Sequence, residues 1–222
     1  MLNEYDVFVF DLDDTLVMTE KIHYQCWLST INNYVTHNLT FDEFCTVFHS
    51  EKEHSIQTYL RDTLMIENFQ KVIDEKNKMY TNIVKTQSER FIMNRGSPEF
   101  LQSILDSGKQ FVIVTNTRYE IVKLFQNQFD IMSRATKIYC KEDFKNPKPN
   151  PECYLKVRND FPNSKLIVFE DSITGVCASR SAHLDTIFVN TEKYIHYSKI
   201  TRSYELIANV TDFNEVMLSI PL

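Results

Sequence analysis

The chain of 222 residues is poor in glycine: Gly96, Gly108 and Gly175 are all it has. Few of its turns can therefore rest on glycine, and each of the three marks a place to locate. It has no block of Lys or Arg. Its 24 basic residues stand against 30 acidic ones, a net charge of −6. That balance makes duplex nucleic acid and anionic membranes poor partners, while leaving room for a local basic site that takes a small phosphorylated ligand. No apolar run is long enough to span a bilayer. The opening "MLNEYDVFVFDLDD" has no basic segment followed by a cleavage site, so no signal peptide is expected. The five cysteines, Cys26, Cys45, Cys140, Cys153 and Cys177, form no C-x-x-C pair, and their number is odd. This predicts free, mostly buried thiols in a reducing, cytoplasmic compartment. There is no internal repeat and no low-complexity tract. The sequence carries no signature of oligomeric state.

What is present is an ordinary apolar fraction, 43%, enough for a sizeable core. The length suits one large domain, or a core domain with a smaller insert. "YDVFVF" (5–10) reads as a short buried strand. Helical spacing then runs from Thr19 to about Arg90 with no convincing strand, which predicts an all-helical unit of about four helices. Thr40 with Glu43 is expected to start one of them as a capping box. From Phe91 onward strands and helices alternate. Ser97 is expected as an N-cap with Pro98 behind it and Gly108 past the helix end. "QFVIVTN", "TKIYC", "KLIVFED" and "DTIFVN" read as strands, separated by helical segments. A further strand is expected near Glu205–Ile207 and a short helix after Thr211. This alternation predicts an α/β fold with a doubly wound parallel sheet. The expected division is 1–16 with 92–222 as the core domain, and 17–91 as an inserted helical domain that would hang over the carboxyl ends of the strands.

Those strand ends carry chemistry. The first ends in Asp11, Asp13 and Asp14, the second in Thr115 and Asn116, the third in Glu170 and Asp171. Between the last two lies "KNPKPNPE", a proline-braced loop with Lys145 and Lys148. Each residue alone has a plain reading as a cap, a turn or a solvated lysine. Together they collect carboxylates, a hydroxyl and an ammonium at one sheet edge. Crowded buried carboxylates repel one another unless a cation or a chemical task compensates.

The ordered set "DLDDT", "VIVTN", "KPNP" and "VFEDSITG" resembles the haloacid dehalogenase-like hydrolase superfamily along nearly the whole chain. The helical insert after the first motif resembles the helical-cap subgroup, which includes phosphoglycolate phosphatase-like enzymes and β-phosphoglucomutase. The resemblance implies a Rossmann-like core with Asp11 as the nucleophile, forming an aspartyl phosphate. It implies Mg²⁺ held by Asp11, the Asp13 main-chain carbonyl and Asp171, with Glu170 beside them. Asp13 would serve as acid and then base, and Thr115 and Lys148 would hold the phosphoryl oxygens. Dehalogenases of this superfamily lack an acid where Asp13 stands, so phosphate chemistry is favoured. Asp14 replaces a glycine common in relatives, and "VMTE" replaces their usual D-S or D-T.

For the substrate, Asn116, His23, Lys52 and Lys76 are the expected contacts. His23, Trp27, Lys76, Asn77 and Tyr80 resemble positions of the β-phosphoglucomutase cap, while Lys52 stands near a mutase arginine that it does not equal as a bidentate donor. "TN" after the second strand is shared with phosphatases and absent from the mutase. The resulting expectation is a Mg²⁺-dependent phosphatase of a small phosphorylated metabolite. A phosphosugar mutase is the alternative, and a non-catalytic binding protein stands third.

Overall fold

The computed structural model describes residues 2–48, 53–190 and 206–219. The chain divides into two compact units, Met1–Met18 with Ile92–Leu222, and Thr19–Phe91. All five cysteines are free thiols. No helix among the described residues is long and apolar enough to cross a membrane.

Among its described residues the second unit is all helical. It comprises α1 (Glu20–Asn32), α2 (Phe41–Val47), α3 (Glu53–Thr58) with a wider π turn at Tyr59–Thr63, and α4 (Phe69–Thr86). Thr40 caps α2, its Oγ1 accepting the Glu43 N–H at 3.2 Å, and Asn68 caps α4 through the Lys71 N–H at 3.3 Å. α4 buries Val72, Lys76, Tyr80 and Val84, a four-residue spacing that draws one stripe along the helix. Its upper part joins Trp27 and Ile31 of α1, Phe44 of α2 and Leu60 of the π turn in an apolar cluster.

The first unit is built on a six-stranded sheet. Its strands are β1 (Val7–Phe10), β2 (Gln110–Val114), β3 (Lys137–Tyr139), β4 (Leu166–Glu170), β5 (Asp185–Val189) and β6 (Ala208–Val210). All pairings are parallel, in the order β3-β2-β1-β4-β5-β6. Parallel neighbours need crossover helices, and these are α5 (Ser97–Asp106), α6 (Tyr119–Gln128), α7 (Glu152–Asp160) and α8 (Ile173–Ser181), with α9 (Phe213–Ser219) closing the chain. β1 is buried on both faces, which is why it reads as an unbroken apolar run. On one face Phe8 and Phe10 meet Phe100 of α5, Phe169 of β4 and Phe213 of α9. On the other, Val7 and Val9 pack with Tyr154 and Val157 of α7 and Ala178 of α8.

Two local expectations are corrected. Ser97 is the first residue of α5 and not its cap. Gly96 holds the cap position at φ 76°, in the left-handed region that admits glycine most easily. The Ser97 N–H is already turned to the Asn94 carbonyl at 2.9 Å, so the bend is made one residue earlier. The last strand is Ala208–Val210 and follows the expected stretch, of which Glu205 lies outside the described residues. Its pairing starts where the Ile207 N–H reaches the Thr186 carbonyl at 2.9 Å.

Phe10 stacks on Phe169 at 4.7 Å between ring centroids and is fully buried. Phe10→Ala is expected to destabilise this unit by about 3–5 kcal/mol through lost transfer energy and the cavity left behind. Urea unfolding followed by circular dichroism, with the variant's midpoint compared to wild type, checks it.

Candidate active site

β1, β2 and β4 lie side by side and run the same way, so their carboxyl ends share one edge. Asp11 follows β1 directly, and its N–H donates to the Phe169 carbonyl at 3.0 Å, which continues the ladder by one residue. Thr115 likewise follows β2, its N–H donating to Tyr139 at 2.9 Å. Glu170 is the last residue of β4, and Asp171 is next. Lys148 enters from the loop between β3 and α7. Its N–H donates to Asn116 Oδ1 at 3.2 Å, so Asn116 braces the loop.

The Lys148 ammonium spends its three protons at this edge. It donates to Asp11 Oδ1 at 2.6 Å, Glu170 Oε1 at 2.6 Å and the Val114 carbonyl at 2.9 Å. Its side chain is 3% exposed. The Tyr154 ring of α7 lies 5.0 Å from the ammonium, and its hydroxyl donates to Glu170 Oε1 at 2.5 Å. Ser172 Oγ donates to Glu170 Oε2 at 3.2 Å. Gly175 makes the niche for this carboxylate, since a β-carbon there would stand 1.9–2.0 Å from the Glu170 carboxyl atoms. Asp171 Oδ1 accepts from Thr15 Oγ1 at 2.9 Å, and the Thr15 carbonyl is held by Asn94 Nδ2 at 3.0 Å.

Asp11, Glu170 and Asp171 are all buried, each with a carboxylate oxygen within 4.8 Å of the others'. The Asp13 carboxylate is placed differently. Its Oδ2 accepts from Thr117 Oγ1 at 2.6 Å and faces Thr115 Oγ1 at 3.4 Å.

The family model of haloacid dehalogenase-like hydrolases matches residues 8–189. The chain belongs to that family. Among curated proteins it is 27% identical over 195 residues to a phosphorylated carbohydrates phosphatase of Thermotoga maritima, with 82% of this chain and 84% of the relative covered. It is 26% identical over 198 residues to glycerol-1-phosphate phosphohydrolase 1 of Saccharomyces cerevisiae, covering 82% and 74%. Among solved structures, a haloacid dehalogenase-family hydrolase of Entamoeba histolytica (family IA, variant 3) superposes with a TM-score of 0.78 at 22% identity, covering 95% of this chain and 94% of that one.

In this hydrolase the charges at the sheet edge do not balance: one ammonium faces three buried carboxylates. Burial pushes the Asp11 carboxyl well above the usual range. Lys148 opposes that, while Glu170 and Asp13 add to it. Asp171 is pushed up in the same way, by burial first and then by Asp11, Asp14 and Glu170. Burial alone would discharge Lys148, but Asp11 and Glu170 hold it protonated, well above its ordinary value. A hard divalent cation fits this donor set, because it takes carboxylate oxygens and relieves the excess negative charge that a single lysine leaves. A thiol nucleophile does not fit. Burial raises Cys153 to about 11 and Cys140 to about 12, so neither is a thiolate at neutral pH.

Of the other expected site residues, His23 and Lys76 lie together in the helical unit. The Lys76 ammonium meets His23 Nδ1 at 2.8 Å, which makes Nδ1 the acceptor. It lies 5.4 Å from both the Trp27 and Tyr80 rings, and the His23 ring stacks on Tyr80 at 4.0 Å. Lys52 falls outside the described residues. Three contributors escape a reading of the sequence: Thr15, Thr117 and Tyr154. A second hydroxyl two residues after Thr115 was the available sign for Thr117. Nothing marks the Tyr154 hydroxyl, since its ring reads as ordinary helix core.

Lys148→Met is expected to cost about 3–5 kcal/mol at pH 7, because Asp11 and Glu170 are left buried without their cation. The loss should shrink as pH falls. A carboxyl whose folded pKa is raised binds a proton more readily folded than unfolded, so the penalty is present above the folded pKa and is relieved as pH drops through it. Urea midpoints of variant and wild type between pH 5 and pH 8, in EDTA, measure the difference.

Proposed function

We propose that the protein is a Mg²⁺-dependent phosphatase of a small phosphorylated metabolite, working through an aspartyl phosphate on Asp11. The observation that carries this is the grouping at one strand edge: Asp11, Glu170 and Asp171 within 4.8 Å of one another, and Lys148 on Asp11 at 2.6 Å. Asp11, Asp171 and the Asp13 carbonyl would hold Mg²⁺, with Glu170 beside them. Bound there, the ion would neutralise charge on the transferring phosphoryl group. Asp11 attacks phosphorus and the ester P–O bond breaks, while Asp13 gives its proton to the departing oxygen. A water then attacks the acyl phosphate, Asp13 takes its proton, and inorganic phosphate leaves with Asp11 restored. Lys148 and Thr115 hold the phosphoryl oxygens, with Asn116 fixing the lysine loop.

The activities after which the Thermotoga and yeast relatives are named support a phosphorylated carbohydrate or polyol as the substrate class. In this reading the helical unit is the cap, and its Lys76–His23 pair contacts substrate. The same pair keeps a phosphosugar mutase as the second reading, in which a sugar hydroxyl replaces water as the acceptor.

Phosphate release from p-nitrophenyl phosphate and a panel of sugar and polyol phosphates, with Mg²⁺ and with EDTA, tests the proposal. Turnover should vanish in EDTA and fall by roughly a thousandfold or more in Asp11→Asn. Isomerisation of a sugar phosphate without phosphate release selects the mutase. Metal-independent turnover, or turnover surviving Asp11→Asn, rejects the mechanism.

A further inference from the structure

Thr117 lies past the end of β2, two residues beyond Thr115, and both ends of its backbone are tied. Its N–H donates to Thr115 Oγ1 at 3.0 Å, and its carbonyl accepts the Lys141 N–H at 3.0 Å. Its side chain is β-branched and so has few rotamers to choose from. The hydroxyl donates to Asp13 Oδ2 at 2.6 Å, the length of a charge-assisted O–H···O⁻ contact. Thr115 Oγ1 faces the same oxygen from 3.4 Å, the longer and weaker of the two approaches. The Asp13 backbone is fixed independently. Asp13 and Val17 form a β-bridge, and the Asp14 N–H donates to the Val17 carbonyl at 2.7 Å. What the backbone leaves to be set at Asp13 is its side-chain torsion, and the Thr117 hydroxyl is a short contact that restrains it.

We propose that Thr117 is a positioning residue for the phosphoryl transfer: it holds the Asp13 carboxyl where the proton is given to the leaving group and later taken from water. The inference rests on the reading of Asp13 as acid and base. Thr117 itself touches no reacting atom in this role. It acts by removing the rotamers of Asp13 that point the carboxyl elsewhere, and misplacement of a reacting group by about 1 Å is enough to cost about a hundredfold.

A merely structural tie between the two loops would slow every substrate alike. A positioning role would not, because leaving groups differ in their need for a proton. An alkoxide must be protonated as it leaves, whereas p-nitrophenolate departs unaided. The measurement is kcat/KM, which covers the steps up to leaving-group departure, for glycerol phosphate and for p-nitrophenyl phosphate with Mg²⁺ present. Thr117→Val should lower the alkyl value about a hundredfold and the aryl value about threefold, with Thr117→Ser recovering most of the alkyl loss. Thr117→Ala repeats the test if the valine variant does not fold, and circular dichroism melting checks each variant. Asp13→Asn serves as the reference and should show the same selectivity, more strongly. Equal losses on both esters in the Thr117 variants, or none, beside a leaving-group-selective Asp13→Asn, overturn the role of Thr117 and leave Asp13 in place. An Asp13→Asn variant without that selectivity overturns the acid–base reading and the inference with it.

Discussion

The Lys148 ammonium organises the sheet edge. It binds the end of β1 through Asp11, the end of β2 through the Val114 carbonyl and the end of β4 through Glu170. Three adjacent strands are thus tied at the one edge where their polar residues emerge. Such a buried ion cluster is poor evidence for stability, because desolvating the charges costs as much as their attraction returns. An apolar replacement of similar volume would pack there more cheaply. The cluster makes physical sense as chemistry held in place by a fold whose stability comes from elsewhere.

That stability lies in the layers around β1. The phenylalanine face, with Phe10 against Phe169, Phe100 and Phe213, and the valine face against α7 and α8 are both buried. Aromatic and β-branched side chains suit a strand buried on both sides. They also make register strict, since a one-residue slip would exchange the two faces. Register is what brings Asp11 level with Glu170: Phe10 pairs with Phe169, so the next residue of each strand is acidic. The apolar pattern therefore positions the carboxylates as surely as any contact they make themselves.

The same logic explains what could be read in the sequence. Apolar runs that end in polar residues announced the parallel sheet and the edge where those residues gather. Asp11, Thr115, Lys148, Glu170 and Asp171 all come to that edge. What was not legible depends on the third dimension. The resemblance separates Asp11 from Asp13 in "DLDD", but it does not name the partners: the Asp13 carboxylate turns to Thr117 while Asp11 faces Lys148. Tyr154 fills core with its ring while its hydroxyl serves Glu170, and a one-dimensional pattern records only the ring. The cap of α5 was misplaced because Ser97 fits the preference for a hydroxyl, while the left-handed turn at Gly96 shows only in the backbone.

The scarcity of glycine sharpens the point. Asp14 sits at φ 58°, a conformation for which glycine is the easy choice and which Asp tolerates better than most residues. The chain accepts that cost beside the acidic cluster, where the Asp14 carboxylate adds to the negative field on Asp171. Gly175, by contrast, has ordinary dihedrals, and its φ does not call for glycine. Its value is the missing β-carbon, whose place the Glu170 carboxyl takes. Without that space, Glu170 could not stay fully buried against the first turn of α8 and still accept from both Lys148 and Tyr154. Glu170 in turn is one of the two carboxylates that keep the lysine charged in a site where burial would discharge it. A glycine in the first turn of a helix thus sustains a positive charge at the neighbouring strand end, through an intermediate that is itself negative.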